Sequence, residues 1–267
     1  MTDFRIDTPR GPIAGTESGH GPALVLVAGL GSSHRIWGDL PSLLGRRFTV
    51  LAIDNRGIGG SRSGHPFSLT DAALDVVAAV DGRGHHQFAL LGASMGGVIA
   101  LAAAIAAPRR TGCLVLASCA ARLTRHGRRS LELLRDLLQH LPPDRVGPAL
   151  MTIAFAPAFA RRFPGLVEEA ARLYGLDPAD QPGATDQVER LLVGWDLRPQ
   201  LAELEVPALV LSGDHDPIVA PEDSAELAGV LPRAELMTVT GAAHSVLAEG
   251  GREVLQKVVD FLAAHVG

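Results

Sequence analysis

Ser94 stands among small residues that could turn its hydroxyl into a nucleophile. The motif at 92–97 is Gly-Ala-Ser-Met-Gly-Gly, directly after the apolar run 88–91 and directly before the helical pattern 98–107. Small residues are needed on both sides because a tight turn from strand to helix leaves no room for side chains. The hydroxyl would then lie at the carboxyl end of the strand, where the following helix N-terminus favours developing negative charge. The motif in this setting predicts a catalytic serine.

A serine hydroxyl needs a base, and the base needs a group that orients it. Both have candidates later in the chain, each directly after a further apolar run: Asp214 and Asp216 in the loop 212–219, and His244 in the loop 241–245. We call these segments the acid loop and the histidine loop. Serine, carboxylate and histidine in this chain order, each just beyond a predicted strand, predict a catalytic triad.

Six short apolar runs must position these loops. Near-continuous runs of leucine and β-branched residues are typical of parallel strands that are covered on both faces. They lie at 23–27, 48–53, 88–91, 113–117, 208–211 and 236–239. Helical patterns of the length that a right-handed crossover requires lie between them, at 69–80, 95–107, 222–231 and 252–265. The sequence predicts an α/β fold with a doubly wound, mostly parallel sheet.

The segment 122–198 interrupts this alternation. It has no strand-like run, and its helical patterns at 130–140, 147–155, 166–174 and 186–195 are punctuated by prolines. An all-helical insertion after the strand near 113–117 must cover one end of the sheet, and ligands of such sheets bind outside the carboxyl ends of the strands. We therefore expect residues 1–121 and 199–267 to form the core and residues 122–198 to form a helical cap.

Composition narrows the class of partner. The chain has 267 residues, 47% of them hydrophobic, and a formal net charge of -5. It can bury a full core, and its charge gives no general attraction for nucleic acid or an anionic membrane surface. We expect a small-molecule substrate, with a homo-oligomer left open. Residues 1–11 lack the pattern of a secretory signal, and the apolar run 100–107 stops at Pro108, so we expect a cytoplasmic protein.

Metal and thiol chemistry have weak support in the sequence. His85 and His86 are adjacent and point in different directions, and no third ligand accompanies them. Cys113 and Cys119 lie in or beside an apolar run, where a small buried hydrophobe is the commoner role. We expect no metal, no disulfide and no cofactor.

The three loops together resemble the α/β-hydrolase superfamily over essentially the whole chain. Residues 28–33 (Ala-Gly-Leu-Gly-Ser-Ser) resemble its oxyanion loop, and residues 54–61 resemble its Asp-x-Arg-Gly-x-Gly-x-Ser turn. The resemblance implies that Ser94, Asp216 and His244 are the triad, with Asp216 favoured over Asp214. It also implies that the backbone N–H groups of Leu30 and Met95 stabilise the oxyanion. Many members carry His-Gly where this chain has Ala28-Gly29; the enol-lactonase and esterase branches include members without that histidine.

Candidates for the substrate pocket come from large side chains near these loops. Trp37 is similar to a tryptophan of the same two branches, although core packing is the simpler explanation for it. Four more lie on cap helices or at their ends, and they could line an apolar pocket or only stabilise the cap: Met151, Phe155, Phe159 and Trp195. The basic run 122–129 could meet an anionic substrate or simply be solvated.

The leading function predicted from these residues is hydrolysis of an ester or lactone of a small, largely apolar molecule through an acyl-enzyme. The same triad could instead serve perhydrolysis, hydrolysis of a carbon–carbon bond, or a cyclisation in secondary metabolism. A small-molecule receptor on this fold is the third alternative. Multiple turnover of aryl esters would count against the receptor.

Overall fold

An eight-stranded sheet forms the core of the protein in a computed structural model that describes residues 1–174 and 177–266. The strands are β1 (Thr2–Thr8), β2 (Gly11–Ser18), β3 (Ala23–Val27), β4 (Thr49–Ile53), β5 (Phe88–Ala93), β6 (Thr111–Ala117), β7 (Ala208–Gly213) and β8 (Ala234–Val239). Their order is β1-β2-β4-β3-β5-β6-β7-β8, and β3 to β8 are parallel to one another. The predicted doubly wound, mostly parallel sheet is confirmed.

The central strands are apolar without interruption because both faces of the sheet are covered. In β3, Leu24 and Leu26 pack into the cluster on one face, while Val25 and Val27 pack into the cluster on the other. All four side chains are fully buried. Successive side chains of a strand point to opposite faces, so a strand between two helical layers has no solvent-facing position for a polar residue.

The hairpin of β1 and β2 was not predicted from the sequence. These strands pair antiparallel with each other, and β2 pairs antiparallel with β4, so they extend one edge of the sheet. Only one side of the hairpin is well covered: Phe4 and Ile13 are buried, whereas the residues next to them alternate toward solvent. Because of this alternation, the segment is polar on average and contains no continuous apolar run that would predict a strand.

Helices cover both faces of the sheet and are the main elements of the described part of the insertion between β6 and β7. The helices of the core are α1 (Leu40–Leu44), α2 (Leu69–Gly82), α3 (Met95–Ala106), α10 (Pro221–Val230), α11 (Val246–Glu249) and α12 (Gly251–His265). Those of the insertion are α4 (Arg125–His140), α5 (Pro143–Ala154), α6 (Pro157–Arg162), α7 (Pro164–Leu173), α8 (Gln181–Leu192) and α9 (Arg198–Leu201). A β-bridge between Arg122 and Asp196 joins the two ends of the insertion. Within the described ranges, no helix is both long and apolar enough to cross a bilayer.

Candidate active site

Ser94 occupies the turn between β5 and α3 in a backbone conformation that serine rarely adopts. Its φ is 54° and its ψ is -122°, and its N–H donates to the carbonyl of Ala117 at 2.8 Å. The glycines that follow are required by crowding. A Cβ at Gly96 would overlap the carbonyl oxygen of Val27, and one at Gly97 would lie 2.6 Å from Cys119 Sγ. The turn therefore presents the Ser94 side chain at the carboxyl edge of the sheet, as the motif predicts.

His244 and Asp216 meet across the ends of β8 and β7. His244 Nδ1 lies 2.8 Å from Asp216 Oδ2 and 3.1 Å from Oδ1, and the Asp216 side chain is 1% exposed. The N–H groups of Ile218 and Val219 donate to Oδ1 at 2.8 and 3.0 Å. Burial alone would raise the pKa of the Asp216 carboxyl, but the charge of His244 and these hydrogen bonds outweigh it and hold the pKa below its usual value. The carboxylate stays ionised and fixes the imidazole.

Asp214 has a different partner. Its Oδ1 accepts a hydrogen bond from the N–H of Gly241 at 2.7 Å, which ties the acid loop to the histidine loop. Ser118, directly after β6, supports the histidine loop, because its hydroxyl donates to the carbonyl of His244 at 2.8 Å. The structure thus brings Asp216 to the imidazole and leaves Asp214 as a staple between loops.

Ser94 lines two cavities. The larger, of about 370 Å³, is also lined by His244, Trp37 and Phe155. The smaller, of about 70 Å³, lies under α4 and is lined mainly by apolar side chains, with Trp195 in its wall. A molecule whose reactive carbon is held at Ser94 can therefore extend in two directions.

The predicted oxyanion loop lies against Ser94. A Cβ at Gly29 would stand 3.6 Å from Ser94 Cβ. The N–H of Leu30 and the N–H of Met95 donate to no acceptor within residues 1–174 and 177–266. Both donors are free to bind an oxygen at this position, as an oxyanion hole requires.

Two amide side chains hold the oxyanion loop in place. Asn55 Nδ2 donates to the carbonyl of Ala28 at 2.7 Å. Gln187, which is fully buried on α8, accepts from the N–H of Gly31 at 2.9 Å and donates to the carbonyl of Arg56 at 2.8 Å. The insertion is therefore in direct contact with the loop that would bind the oxyanion.

Three of the five predicted pocket residues reach the walls of the two cavities: Trp37, Phe155 and Trp195. Met151 and Phe159 line neither cavity. They pack with Phe155 in a separate cluster, with the rings of Phe155 and Phe159 stacked at 5.4 Å, so they support the wall from behind. The indole N–H groups of Trp37 and Trp195 are buried and have no acceptor within the described part of the chain.

Two residues of the site were not identified by the sequence analysis. Tyr174, the one tyrosine in the chain, lines the larger cavity; burial raises the pKa of its phenol despite a hydrogen bond with Ser32. Glu249 accepts from the N–H of Ala243 in the histidine loop and from the N–H of Ala156 in the insertion, both at 2.9 Å. A lone aromatic at a helix end or a glutamate near a terminal helix has no local pattern that would reveal such a role.

The remaining candidates have structural surroundings. Cys113 and Cys119 are buried and free and lie in the apolar clusters on the two faces of the sheet, and burial raises the pKa of each thiol to about 12. Arg122, from the basic run, lines the smaller cavity but forms an ion pair with Glu226 at 3.0 Å. Over residues 1–174 and 177–266, no cluster of three or more His, Cys, Asp or Glu side chains could hold a metal ion.

Comparison with known proteins identifies the family of this chain. The alpha/beta hydrolase fold family matches residues 22–251. The chain belongs to the α/β-hydrolase family. Among its α/β-hydrolase relatives, the chain is 29% identical to RutD of Azorhizobium caulinodans, a protein named for carbamate hydrolysis, over 85% of this chain and 86% of that protein. It is 28% identical to 3-oxoadipate enol-lactonase 2 of Acinetobacter baylyi, over 76% of this chain and 74% of that protein.

A solved α/β-hydrolase structure gives the same architecture. The enol-lactonase of Burkholderia xenovorans LB400 superimposes with a TM-score of 0.86 over 97% of this chain and 100% of that chain, at 24% identity. At this identity the likeness concerns the fold. Taken with the family match and the hydrolase relatives, it supports hydrolase activity for this chain.

Proposed function

We propose that the protein is a serine hydrolase that cleaves an ester or lactone of a small, largely apolar molecule through an acyl-enzyme. The observation that carries this proposal is the 2.8 Å contact between His244 Nδ1 and Asp216, made beside a cavity that His244 shares with Ser94. Because Nδ1 is bound to the carboxylate, Nε2 is the nitrogen left to take a proton from the Ser94 hydroxyl.

The reaction then proceeds in two halves. Ser94 Oγ attacks the carbonyl carbon while His244 accepts its proton, and the imidazolium that forms is stabilised by Asp216. His244 next gives this proton to the leaving oxygen, and the acyl group remains on Ser94. Water, deprotonated by the same imidazole, attacks the acyl-enzyme. As the bond between the acyl carbon and Ser94 Oγ breaks, His244 returns the proton to Oγ and the acid is released. In both halves the N–H groups of Leu30 and Met95 would receive the negative oxygen, each contributing about 3 kcal/mol.

The substrate class follows from the walls of the cavities. Both are mainly apolar and contain a few polar groups, among them Ser94 and, in the larger cavity, His244, an arrangement typical of small-molecule sites. The names of the relatives suggest two further kinds of substrate, a carbamate and an enol-lactone, to be compared with simple esters. All three present a carbonyl carbon to the nucleophile, so the proposed triad could act on each of them.

The direct test is covalent labelling of the protein with a phenylmethyl sulfonyl fluoride, followed by peptide mass spectrometry. Modification of Ser94 is expected, because only a serine beside a basic histidine is activated. Ser42, an exposed serine on α1, is the internal control and should remain unmodified. Label found elsewhere while Ser94 stays intact would overturn the nucleophile assignment.

The second measurement is turnover on a panel of p-nitrophenyl esters, lactones and aryl carbamates. Multiple turnover that is lost in Ser94→Ala supports hydrolysis. A stable one-to-one complex with negligible turnover of the whole panel would favour the receptor instead. Oxidation of a halide with peroxide and acetate, in the absence of ester turnover, would favour perhydrolysis.

A further inference from the structure

Tyr174 contributes the one phenol of the chain to the wall of the larger cavity. It directly follows α7, and its N–H donates to the carbonyl of Ala170 at 2.8 Å, which fixes its backbone to the end of that helix. Its ring packs against the apolar cluster that contains Met151 and Phe155. The hydroxyl is therefore carried by a rigid ring that is held in place by packing.

The Tyr174 hydroxyl and the nucleophile both flank Gly29 of the oxyanion loop. A Cβ at Gly29 would stand 3.6 Å from Ser94 Cβ and 3.8 Å from Tyr174 Oη. Ser94 Cβ and Tyr174 Oη are thus no further apart than these two distances together. Once a carbonyl carbon is attached to Ser94 Oγ, a substrate atom a few bonds from that carbon lies within hydrogen-bond reach of the phenol.

The larger cavity has few other groups for polar recognition. Among the described residues, no Asp, Glu, Lys or Arg side chain lines it. Apart from Ser94 and His244, its polar side chains are Tyr174, Ser245 and Trp37, and the indole N–H of Trp37 is buried. The cavity therefore offers neutral hydrogen-bonding groups, and no fixed charge, to the part of a substrate beside the reacting carbon.

The phenol is suited to donate a hydrogen bond. Burial raises the pKa of the Tyr174 hydroxyl, so the group keeps its proton at neutral pH. Its partner in the protein is the hydroxyl of Ser32. A phenol oxygen can accept from one hydroxyl while its own proton is donated elsewhere, so contact with Ser32 is compatible with donation to a substrate.

We propose that Tyr174 is a specificity-determining residue whose hydroxyl donates a hydrogen bond to an oxygen of the substrate beside the reactive carbonyl group. The inference deepens the proposed function and rests on it: the ester or lactone carries a neutral acceptor, such as an ether, ketone or hydroxyl oxygen, in the part that the larger cavity holds. Ser94 supplies the nucleophile, and Tyr174 selects this polar neighbour of the carbonyl.

The test uses two pairs of esters in which an ether oxygen replaces a methylene group. p-Nitrophenyl methoxyacetate is compared with p-nitrophenyl butyrate for the acyl part, and 2-methoxyethyl acetate with butyl acetate for the alcohol part. Each ester is measured with the wild-type protein and with Tyr174→Phe, so that differences in intrinsic reactivity cancel. In at least one pair, the substitution should lower kcat/KM for the ether ester about threefold to tenfold more than for its alkyl partner.

Ser32→Ala separates contact with the substrate from support of the oxyanion loop. It removes the hydroxyl that meets the phenol, and Ser32 lines neither cavity. Ser32→Ala should affect the two esters of a pair equally and so keep the wild-type preference. If Tyr174→Phe also affects both esters of each pair equally, the phenol only supports the loop or has no role, and the proposal is overturned.

The single tyrosine also permits a measurement that does not depend on turnover. Protein made with 3-fluorotyrosine carries one fluorine label, at residue 174. In Ser94→Ala, the ether ester of the sensitive pair should shift this fluorine resonance more than its alkyl partner, and equal shifts would contradict the contact. If the wild-type protein hydrolyses no ester, the proposed function fails. If esters are hydrolysed but Tyr174→Phe does not distinguish the partners of either pair, the Tyr174 proposal alone is overturned.

Discussion

Ser94 holds a positive φ although it carries a side chain, and this conformation strains the folded protein. Such a backbone costs of order 1–3 kcal/mol and persists only where the surroundings impose it. Here β5, α3 and the close approach of Gly96 to Val27 impose it. The position of the hydroxyl in the walls of the two cavities is thus obtained at the expense of stability.

Ser94→Gly should therefore stabilise the protein while removing the nucleophile. Relief of strain outweighs the extra entropy that glycine gives the unfolded chain, so we expect a gain of about 1 kcal/mol in the free energy of unfolding. Urea denaturation measures it. The control Ser42→Gly, in the helix α1, should change stability in the opposite direction, by roughly 0.5 kcal/mol. A loss of stability in Ser94→Gly would show that the turn is not strained.

Substitution of the two carboxylates of the acid loop should have very different effects on kcat. Asp216→Asn removes the charge that orients His244 and stabilises its imidazolium, so kcat should fall by about 10⁴-fold with the fold intact. Asp214→Asn keeps an amide oxygen that can accept from Gly241, so its effect should be far smaller. Steady-state kinetics of both variants measures these losses in kcat, and circular dichroism checks that both variants are folded. The reverse ranking would transfer the role of triad acid to Asp214.

The Asp216 carboxyl also predicts a dependence of stability on pH. Its pKa in the folded protein lies below the usual value of 3.8, so its contribution to stability is complete above that pH and is lost as the pH falls through the folded pKa. The difference in unfolding free energy between wild type and Asp216→Asn should be present in full at about pH 5 and shrink as the pH falls below that value. A difference that is already lost at about pH 5 would contradict the lowered pKa.

Individual side chains were predictable where chemistry imposes a local pattern. The Ser94 turn requires small neighbours, and His244 and Asp216 follow strands, so each has a signature in the sequence. Tyr174 and Glu249 have none, because their partners are remote in the chain and any polar residue of suitable length would look the same before folding.

At the scale of elements, the buried strands were easiest to predict and the edge of the sheet was hardest. Strands β3 to β7 carry apolar runs because helices cover both of their faces, whereas β8 lies at the other edge and is partly exposed. All six were found, with ends that differ by no more than two residues. The hairpin of β1 and β2 has an alternating pattern that its average polarity hides. Short helices such as α6 and α9 were also missed, because a single turn shows no periodicity.

Helix α8 has a role that only three dimensions reveal. Gly183 of α8 packs directly on Gly57, and Asp180, just before α8, accepts from the N–H of Gly59 at 2.9 Å. Together with Gln187, these contacts fasten the insertion to the two loops that precede and follow β4. The helix therefore acts as a clamp on the oxyanion loop.

Gln187→Leu should test this clamp. The substitution leaves the buried carbonyl of Arg56 without its side-chain partner, which costs about 1–3 kcal/mol, and also removes the acceptor of the half-buried N–H of Gly31. If the oxyanion loop then moves, kcat should fall more than KM rises, because the oxyanion is bound only during the reaction. Gln139→Leu, an exposed glutamine on the neighbouring helix α4, is the control. Unchanged kcat with lowered stability would limit Gln187 to a structural role.

On the scale of the whole molecule, the insertion divides the space around Ser94. It is fastened to the core on one side by α8 and on the other by residues 154–156, where the N–H of Ser245 donates to Ala154 at 2.8 Å and Glu249 accepts from Ala156. Between these attachments lie the larger cavity beside His244 and the smaller one beneath α4. The acyl and leaving groups of a substrate bound at Ser94 would therefore contact different cavities.

Truncation of one aromatic residue in each wall should alter selectivity on opposite sides of the bond. Phe155→Ala should change the preference among groups held in the larger cavity, and Trp195→Ala among groups held in the smaller one. Each effect should be no more than about 3 kcal/mol, because that is the range of apolar pocket contacts. Esters varied separately in acyl and alcohol parts measure it, with the exposed Val193→Ala as control. Identical changes in both variants would indicate a single undivided pocket.

The order of strands in the chain has a consequence for the protein while it is being made. Ser94 is synthesised 150 residues before His244, with the entire insertion and β7 between them. At typical rates of translation that interval lasts roughly ten to thirty seconds. During it, β3 to β6 can pair and the turn at Ser94 can form, yet the hydroxyl has no base. On the proposed mechanism, the nascent chain gains hydrolytic activity only after the histidine loop that follows its last strand has been made, and products truncated before that point would lack this activity.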